Sequence, residues 1–308
     1  MVFMQNKKKL NPIGNNQQKN LFIKHKLGFF QLKNKPSKND LKKYYSNKYY
    51  QQECGNYQTQ YTNEEIEYFH IKNEQKLNIA SKLICLKNKR FLDIGCGEGH
   101  MMNFFKKMDW NVLGLDYGDY ACSEMNPKCL DMIKIGDIYK SIEELAKNGN
   151  KFEIINLTNV LEHVLKPIAL LKKIKLIAHK NTVLIITVPN DFSFYQNFLL
   201  NELAITKPFW IVNPDHISYF EKDSLKNICN HVGWKEQVIM ADFPIDIFLA
   251  NPYSNYLHDR LKGAAAHEVR VKLENLFHSR SINATIDLYI AMANLGFGRQ
   301  LTGFYQIK

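Results

Sequence analysis

Arg90-Phe91-Leu92-Asp93-Ile94-Gly95-Cys96-Gly97-Glu98-Gly99 is the stretch on which the fold turns. Its first half is a short apolar run carrying one acid, as in a buried strand, and its second half places glycine at alternate positions. Glycines at 95, 97 and 99 allow a sharp backbone turn and let a ligand approach without interference from Cβ atoms. Residues 99–108 then read as a helix, so a strand, a tight loop and a helix start follow one another. Asp93 narrows the class of loop. An acid just before the glycines suits a ligand with a positive amine, whereas a dinucleotide loop presents its pyrophosphate to the helix N-terminus.

Outward from this unit, strand and helix signals alternate. Strands are expected over 90–94, 111–116, 132–135, 152–158, 182–188 and 236–240, with helices over 99–108, 120–126, 142–147, 167–178 and 224–232 between them. The apolar runs Ile154-Ile155 and Val183-Leu184-Ile185-Ile186 suit strands buried on both faces, so the pattern predicts an α/β fold with a mostly parallel sheet and helices on both sides. Upstream, 63–86 reads as a helix begun by Thr62 or Asn63, with Glu64 and Glu65 in its first turn. Downstream, 300–307 reads as a last, antiparallel strand. The segment 243–295 before it is far longer than a hairpin needs and reads as helices over 254–277 and 282–295, an insertion serving as a substrate cap or a dimer interface.

The composition bounds what such a fold is for. At 308 residues and 45% hydrophobic content the chain builds one substantial core, or a core with a small accessory part. Its formal charge is +11, but residues 1–43 hold eleven lysines against the single acid Asp40, which leaves about +1 for all the rest. Residues 1–43 are therefore expected as a basic, flexible N-terminal tail and 44–308 as the folded domain. The near-neutral body lacks the footprint that phosphate-backbone binding requires, so nucleic acid is an unlikely partner. The apolar patches Leu21-Phe22-Ile23 and Leu27-Gly28-Phe29-Phe30 leave open a contact of the tail with an acidic membrane surface or nucleic acid. No signal peptide and no transmembrane segment is evident, which makes a cytoplasmic location the expectation. Six scattered cysteines show no zinc-type spacing, so they read as reduced thiols and no metal site is expected. Tyrosines crowd residues 44–61, as a lid over a ligand or as packing for the first helix.

Three more positions carry chemistry. Asp116 ends the second strand about twenty residues after the loop, where one carboxylate can accept from both hydroxyls of a ribose. Gly136-Asp137-Ile138 follows the third strand and offers an acceptor for the exocyclic amine of adenine. The fourth strand closes with Leu157-Thr158-Asn159-Val160-Leu161-Glu162-His163-Val164. In this order and spacing, the segments resemble class I S-adenosylmethionine-dependent methyltransferases over about 90–238 plus the terminal strand. The Val-Leu-Glu-His-Val run is similar to the branch containing quinone-biosynthesis and sugar methyltransferases. The resemblance implies a Rossmann-like seven-stranded sheet in the order 3-2-1-4-5-7-6. It also implies S-adenosylmethionine as cofactor, its methionine part held by Asp93 and the loop Gly95, Cys96, Gly97 and Gly99. The ribose would lie against Asp116 and Tyr117, the adenine against Asp137 and Ile138, and the sulfonium beside Asn159.

Methyl transfer is an in-line displacement that needs a base only when the acceptor is a hydroxyl. His163 after the fourth strand and His216 in Asn213-Pro214-Asp215-His216 after the fifth are the candidates, with His216 preferred as base over a satisfied loop histidine, and Asp215 either orienting it or capping the turn after Pro214. Glu162 beside His163 equally suits a structural helix start. The place after the fourth strand has no proline, unlike an adenine-N6 methylase, and Asn251-Pro252-Tyr253 is an ordinary turn. The expected activity is methylation at O or N of a small molecule, a sugar or sugar nucleotide of surface-polysaccharide biosynthesis by fold-level analogy. A quinone-type phenol is the alternative acceptor, entering by an apolar mouth near 192–210. A non-catalytic cofactor-binding scaffold, with 254–295 as a homodimer or partner surface, is the alternative of another class.

Overall fold

In this computed structural model, residues 21–37, 39–41, 61–84, 88–202, 204–257 and 259–308 are described. Two short strands, β1 (Phe22–Lys24) and β2 (Phe30–Leu32), precede helix α1 (Asn63–Leu83). The Rossmann alternation follows: β3 (Arg90–Ile94), α2 (His100–Lys107), β4 (Asn111–Asp116), α3 (Tyr120–Met125), β5 (Ile133–Ile135), α4 (Ile138–Lys147), β6 (Phe152–Thr158), α5 (Pro167–Ile174) and β7 (Ala178–Pro189). After it come α6 (Phe194–Asn201), β8 (Ser218–Tyr219), α7 (Lys222–His231), β9 (Trp234–Ala241), α8 (Arg260–Arg280), α9 (Ile282–Leu295) and β10 (Gln300–Ile307).

The main sheet runs β5-β4-β3-β6-β7-β10-β9. Counted along the chain from β3, that is the order 3-2-1-4-5-7-6, with β3 to β7 parallel and β10 antiparallel to both β7 and β9. The central strands explain themselves: every residue of Phe152-Glu153-Ile154-Ile155-Asn156-Leu157 is buried, because helices cover both faces and leave no side of the strand to water. One core face gathers Leu92, Ile94, Ile155, Leu157, Leu184 and Ile186, the other Phe91, Phe105, Ile154, Val183 and Ile185.

Element ends differ from expectation where capping decides. The Thr62 hydroxyl accepts the Glu65 amide while the Glu65 carboxylate accepts the Thr62 amide, closing a capping box at the start of α1. Asp137 caps α4 at Ile138, one turn before the expected 142. α8 begins at Arg260, not 254, because Asp259 accepts from Leu261 and Lys262 while Asn251 to Asn255 are held in turns. β7 starts four residues before 182, and α6, capped by Ser193, was not legible in a stretch that reads as loop.

The tail expectation needs correction from residue 21 onward. β1 and β2 form a second sheet with β8, and Phe22, Phe30 and Leu32 share a core with Phe192, Trp210 and Tyr219. Phe29 reaches the main core and lies against Phe220, ring centroids 5.2 Å apart. The aromatic patches that seemed available to a membrane are thus spent inside the protein, since burying such rings is favourable and the lysines between them still reach water. Leu21 and Ile23 remain exposed. Residues 1–20, the boundary at 43 and the tyrosines before Tyr61 lie outside the described residues. No helix among the described residues is long and apolar enough to cross a membrane.

Candidate active site

The carboxyl ends of β3, β4, β5 and β6 open onto a cavity of about 1360 Å3, as open α/β sheets do at their switch point. Pockets for a single small ligand measure roughly 300 to 1,000 Å3, so there is room for two reactants. The ten residues expected to hold the cofactor, Asp93, Gly95, Cys96, Gly97, Gly99, Asp116, Tyr117, Asp137, Ile138 and Asn159, all border it.

The three loop glycines do different jobs, although all have left-handed φ, between 48° and 76°. A Cβ at Gly95 would collide with a methyl of Val160, and one at Gly99 would come within 2.7 Å of the Cys122 sulfur. A Cβ at Gly97 would meet no atom of the described residues within 4 Å. The outer two are required by the chain's own packing, and the middle one keeps space open on the cavity side. Cys96 is buried in the loop and burial pushes its thiol well above the usual range, which leaves it protonated and inert.

Asp93 and Asp116 are the buried acids of the site. Asn156 Nδ2 donates to Asp93 Oδ1 at 2.7 Å. Burial raises the Asp93 carboxyl to about 7, against the pull of Asn156 and of the Lys76 ammonium. Lys76 comes from α1, donates to Thr158 Oγ1 at 2.9 Å, and is lowered by burial to about 8. Asp116 accepts the Gly97 amide at 2.8 Å and the Tyr117 amide at 2.6 Å, so it braces the loop as well as facing the cavity. Burial raises its carboxyl too, while the amides of Gly97, Tyr117 and Gly118 hold it down. Asp137 uses one oxygen to cap α4, and Asn159, at φ 55°, accepts from the Gln300 side chain at 3.2 Å. The Tyr117 phenol is pushed by burial to about 12. Tyr61 donates to Glu98 of the loop at 2.9 Å.

Beyond Asn159 the cavity is walled by Tyr68 and Lys72 of α1, Thr187, Thr302, Gln300, Asp242, and His267 and Arg270 of α8. Arg270 is held at 2.9 Å by Asp242 and at 3.0 Å by Glu274, with its other face on Tyr68. The helical insertion therefore contributes a polar wall to the cavity. Phe192 and Trp210, expected at an apolar mouth, are buried in the core of the small sheet and do not border it.

The two histidines fall differently from expectation. His163 borders the cavity, whereas His216, the preferred base, packs edge-on behind it with ring centroids 4.9 Å apart and is absent from the cavity wall. His216 is set back because Ile217 and Ser218 donate their amides to the Glu162 carbonyl, at 2.8 and 2.9 Å, drawing the 213–218 loop under the end of β6. Asp215 serves His163 instead, its carbonyl oxygen 3.0 Å from Nδ1. Burial opposes the His163 charge, but the hydrogen bond to Asp215 and the Glu162 carboxyl outweigh it and raise the ring to about 9. Burial and the neighbouring His163 lower His216 to about 4. Lys76, Lys72 and Arg270 escaped the sequence reading, since a lysine or arginine on a mixed helix face looks solvated. Asn156, an amide inside an apolar strand, was the one signal available.

A family model described as a methyltransferase domain matches residues 66–237. A ubiquinone biosynthesis O-methyltransferase of Coxiella burnetii is 31% identical over 104 residues, 33% of this chain and 44% of that protein. The protein of the same name from Hahella chejuensis is 26% identical over 187 residues, 57% of this chain and 79% of that protein. The chain spans less than half the length of the first of these relatives. A solved structure of a SAM dependent methyltransferase from Archaeoglobus fulgidus aligns with 78% of this chain and 98% of that one, at 16% identity and a TM-score of 0.46.

Proposed function

The chain belongs to the class I S-adenosylmethionine-dependent methyltransferases, and from that premise we propose that it methylates a hydroxyl oxygen of a small polar acceptor, with a sugar or sugar nucleotide as the leading class. The observation that carries the acceptor class is the set of polar side chains, Thr187, Gln300, Thr302, Asp242, His267 and Arg270, that border the cavity beside Met240 and Ala241.

The residues fit the cofactor on their own chemistry. Gly97 keeps a space that no side chain among the described residues fills. Asp93, buried and with a carboxyl near 7, gains from a cationic amine brought against it. Asp116 keeps lone pairs beyond those used by Gly97 and Tyr117 and is the ribose acceptor; Asp137 and Ile138 border the place for the base. When bound, S-adenosylmethionine supplies a methyl carbon already activated by its sulfonium. The protein's contribution is alignment and exclusion of water: α1 and α8 roof the cavity, the Gln300 side chain fixes Asn159, and Asp215 fixes the ring of His163 at its border.

A quinone-type phenol is the second acceptor class, favoured by the printed names of the curated relatives. Incubating the protein with S-adenosylmethionine and a panel of sugar nucleotides and dihydroxyphenols, with S-adenosylhomocysteine as readout, decides between them. Turnover on the sugar nucleotides is expected. Turnover confined to the phenols overturns the leading acceptor, and cofactor binding with no turnover on either class favours a scaffold.

A further inference from the structure

Directly behind His163 lie buried acceptors for which the described residues supply no hydrogen-bond donors. Glu162 and Asp191 are each 1% exposed, and among the described residues none of their four carboxylate oxygens finds a hydrogen-bond partner, nor does Nδ1 of His216. Burying one carboxylate without a donor is costly, and in native proteins the exceptions mark a bound water or ion, or a working site. Here the exceptions converge. One ligand atom from each of Glu162, His163 and His216 lies within 4.8 Å of the others. Asp191 Oδ2 stands 3.9 Å from His216 Nδ1, and His163 Nε2 stands 3.8 Å from Glu162 Oε1.

We propose that Glu162, His163 and His216 bind a divalent transition-metal ion of the zinc class, with Asp191 beside them as a further carboxylate. Two imidazoles and a carboxylate suit zinc and its neighbours, whereas magnesium and calcium ask for oxygen donors throughout. The surroundings are built for ligation. The Asp215 carbonyl, 3.0 Å from His163 Nδ1, accepts from that nitrogen and turns Nε2 toward Glu162, the orientation that outer-shell partners impose on metal-bound histidines. Backbone bonds from Ile217 and Ser218 to Glu162 and from Asp191 to Phe220 lock the three contributing loops together before any ion arrives. Arg299 is the cation facing this group, yet it makes no hydrogen bond to Asp191 and so does not satisfy it. Three protein ligands leave a coordination position open, and His163 borders the cavity, so the open side faces the acceptor. There the ion would bind the acceptor oxygen, a role that rests on the methyl-transfer reading; the binding itself does not. The sequence hid the site because its ligands come from the ends of β6 and β7 and from the 213–218 loop, with no local spacing.

The full chain, stripped with a chelator and dialysed, is titrated with Zn2+ by calorimetry and with Co2+ by visible absorption. One equivalent of each is expected, with cobalt ligand-field bands, and Zn2+ should raise the melting temperature. Glu162→Gln and His216→Ala should each weaken Zn2+ by more than about a hundredfold, beyond what losing an outer-shell partner costs, while His179→Ala, at the opposite end of the sheet, keeps full binding. Glu162→Gln keeps the shape and removes a buried charge that is desolvated and makes no hydrogen bond to the described residues, so the metal-free variant should melt no lower than the wild type, which separates lost ligation from lost fold. No stoichiometric binding by the wild type, or equal binding by Glu162→Gln and His216→Ala, overturns the site. No acceptor is needed for these readouts, so their failure would leave the methyl-transfer reading standing.

Discussion

Asp116 offers the sharpest test of the cofactor site, because the structure gives it two separable jobs. Its Oδ2 accepts the Gly97 amide at 2.8 Å and its Oδ1 accepts the Tyr117 amide at 2.6 Å, while the whole side chain is buried at the cavity wall. Replacing it by Asn keeps the shape but turns one acceptor into a donor facing an amide. One charge-assisted bond is lost and one backbone N–H is left unpaired, for about 1 to 3 kcal/mol of stability. Replacing it by Ala removes both braces and should cost about twice that, unless water enters to pair the amides. Cofactor affinity should fall in both by about 1 to 3 kcal/mol, or roughly 5- to 150-fold in Kd, because the ribose loses its carboxylate acceptor. Thermal melting separates the first effect from the second, and calorimetric titration with S-adenosylmethionine measures the second directly. An Asp116→Ala protein that remains folded and binds the cofactor with wild-type affinity would remove Asp116 from the site and, with it, the assignment of the β4 end to the ribose.

Cofactor affinity should rise about tenfold between pH 6 and pH 8, because Asp93 ionises near 7 and only its carboxylate pairs with the cofactor's amine. The sign follows from burial: a raised carboxyl pKa makes the proton a competitor of the cationic ligand below 7, and Lys76→Met, which removes the charge holding Asp93 down, should move the rise to higher pH; a flat profile by calorimetry refutes the pairing. Gly97→Ala should fold, at about 1 to 2 kcal/mol of backbone strain, yet bind the cofactor at least tenfold more weakly, whereas Gly95→Ala should lose more stability through its clash with Val160. Equal melting temperatures for the two would contradict the division of labour among the glycines. His163→Gln should lower kcat about a hundredfold with the cofactor Kd within threefold, since the ring borders the acceptor side; steady-state kinetics and titration together check this. Phe29→Ala should cost about 3 to 5 kcal/mol, as truncation of a fully buried aromatic does, whereas a flexible tail would show no change in melting.

That the residues proposed to hold the cofactor border one cavity was legible in the chain, because they are consecutive or sit at strand ends that hydrophobic alternation locates. The loop from Asp93 to Gly99, Asp116 and Asp137 are each fixed by a strand–loop–helix unit whose geometry is local. The same holds for the strands of the sheet, which the alternation locates, while their order 3-2-1-4-5-7-6 was what the family resemblance implied.

What only the tertiary structure decided is everything assembled from distant segments by side-chain packing. That Lys76 of α1 lies against Asp93, that Arg270 of α8 walls the cavity, and that residues 21–32 leave the basic tail to pair with β8 are long-range choices. The placing of His163 at the cavity with His216 behind it is another, made by two backbone hydrogen bonds to the Glu162 carbonyl. Local propensity carries no record of such contacts, because their free energy comes from desolvating groups that meet only after the sheet has closed.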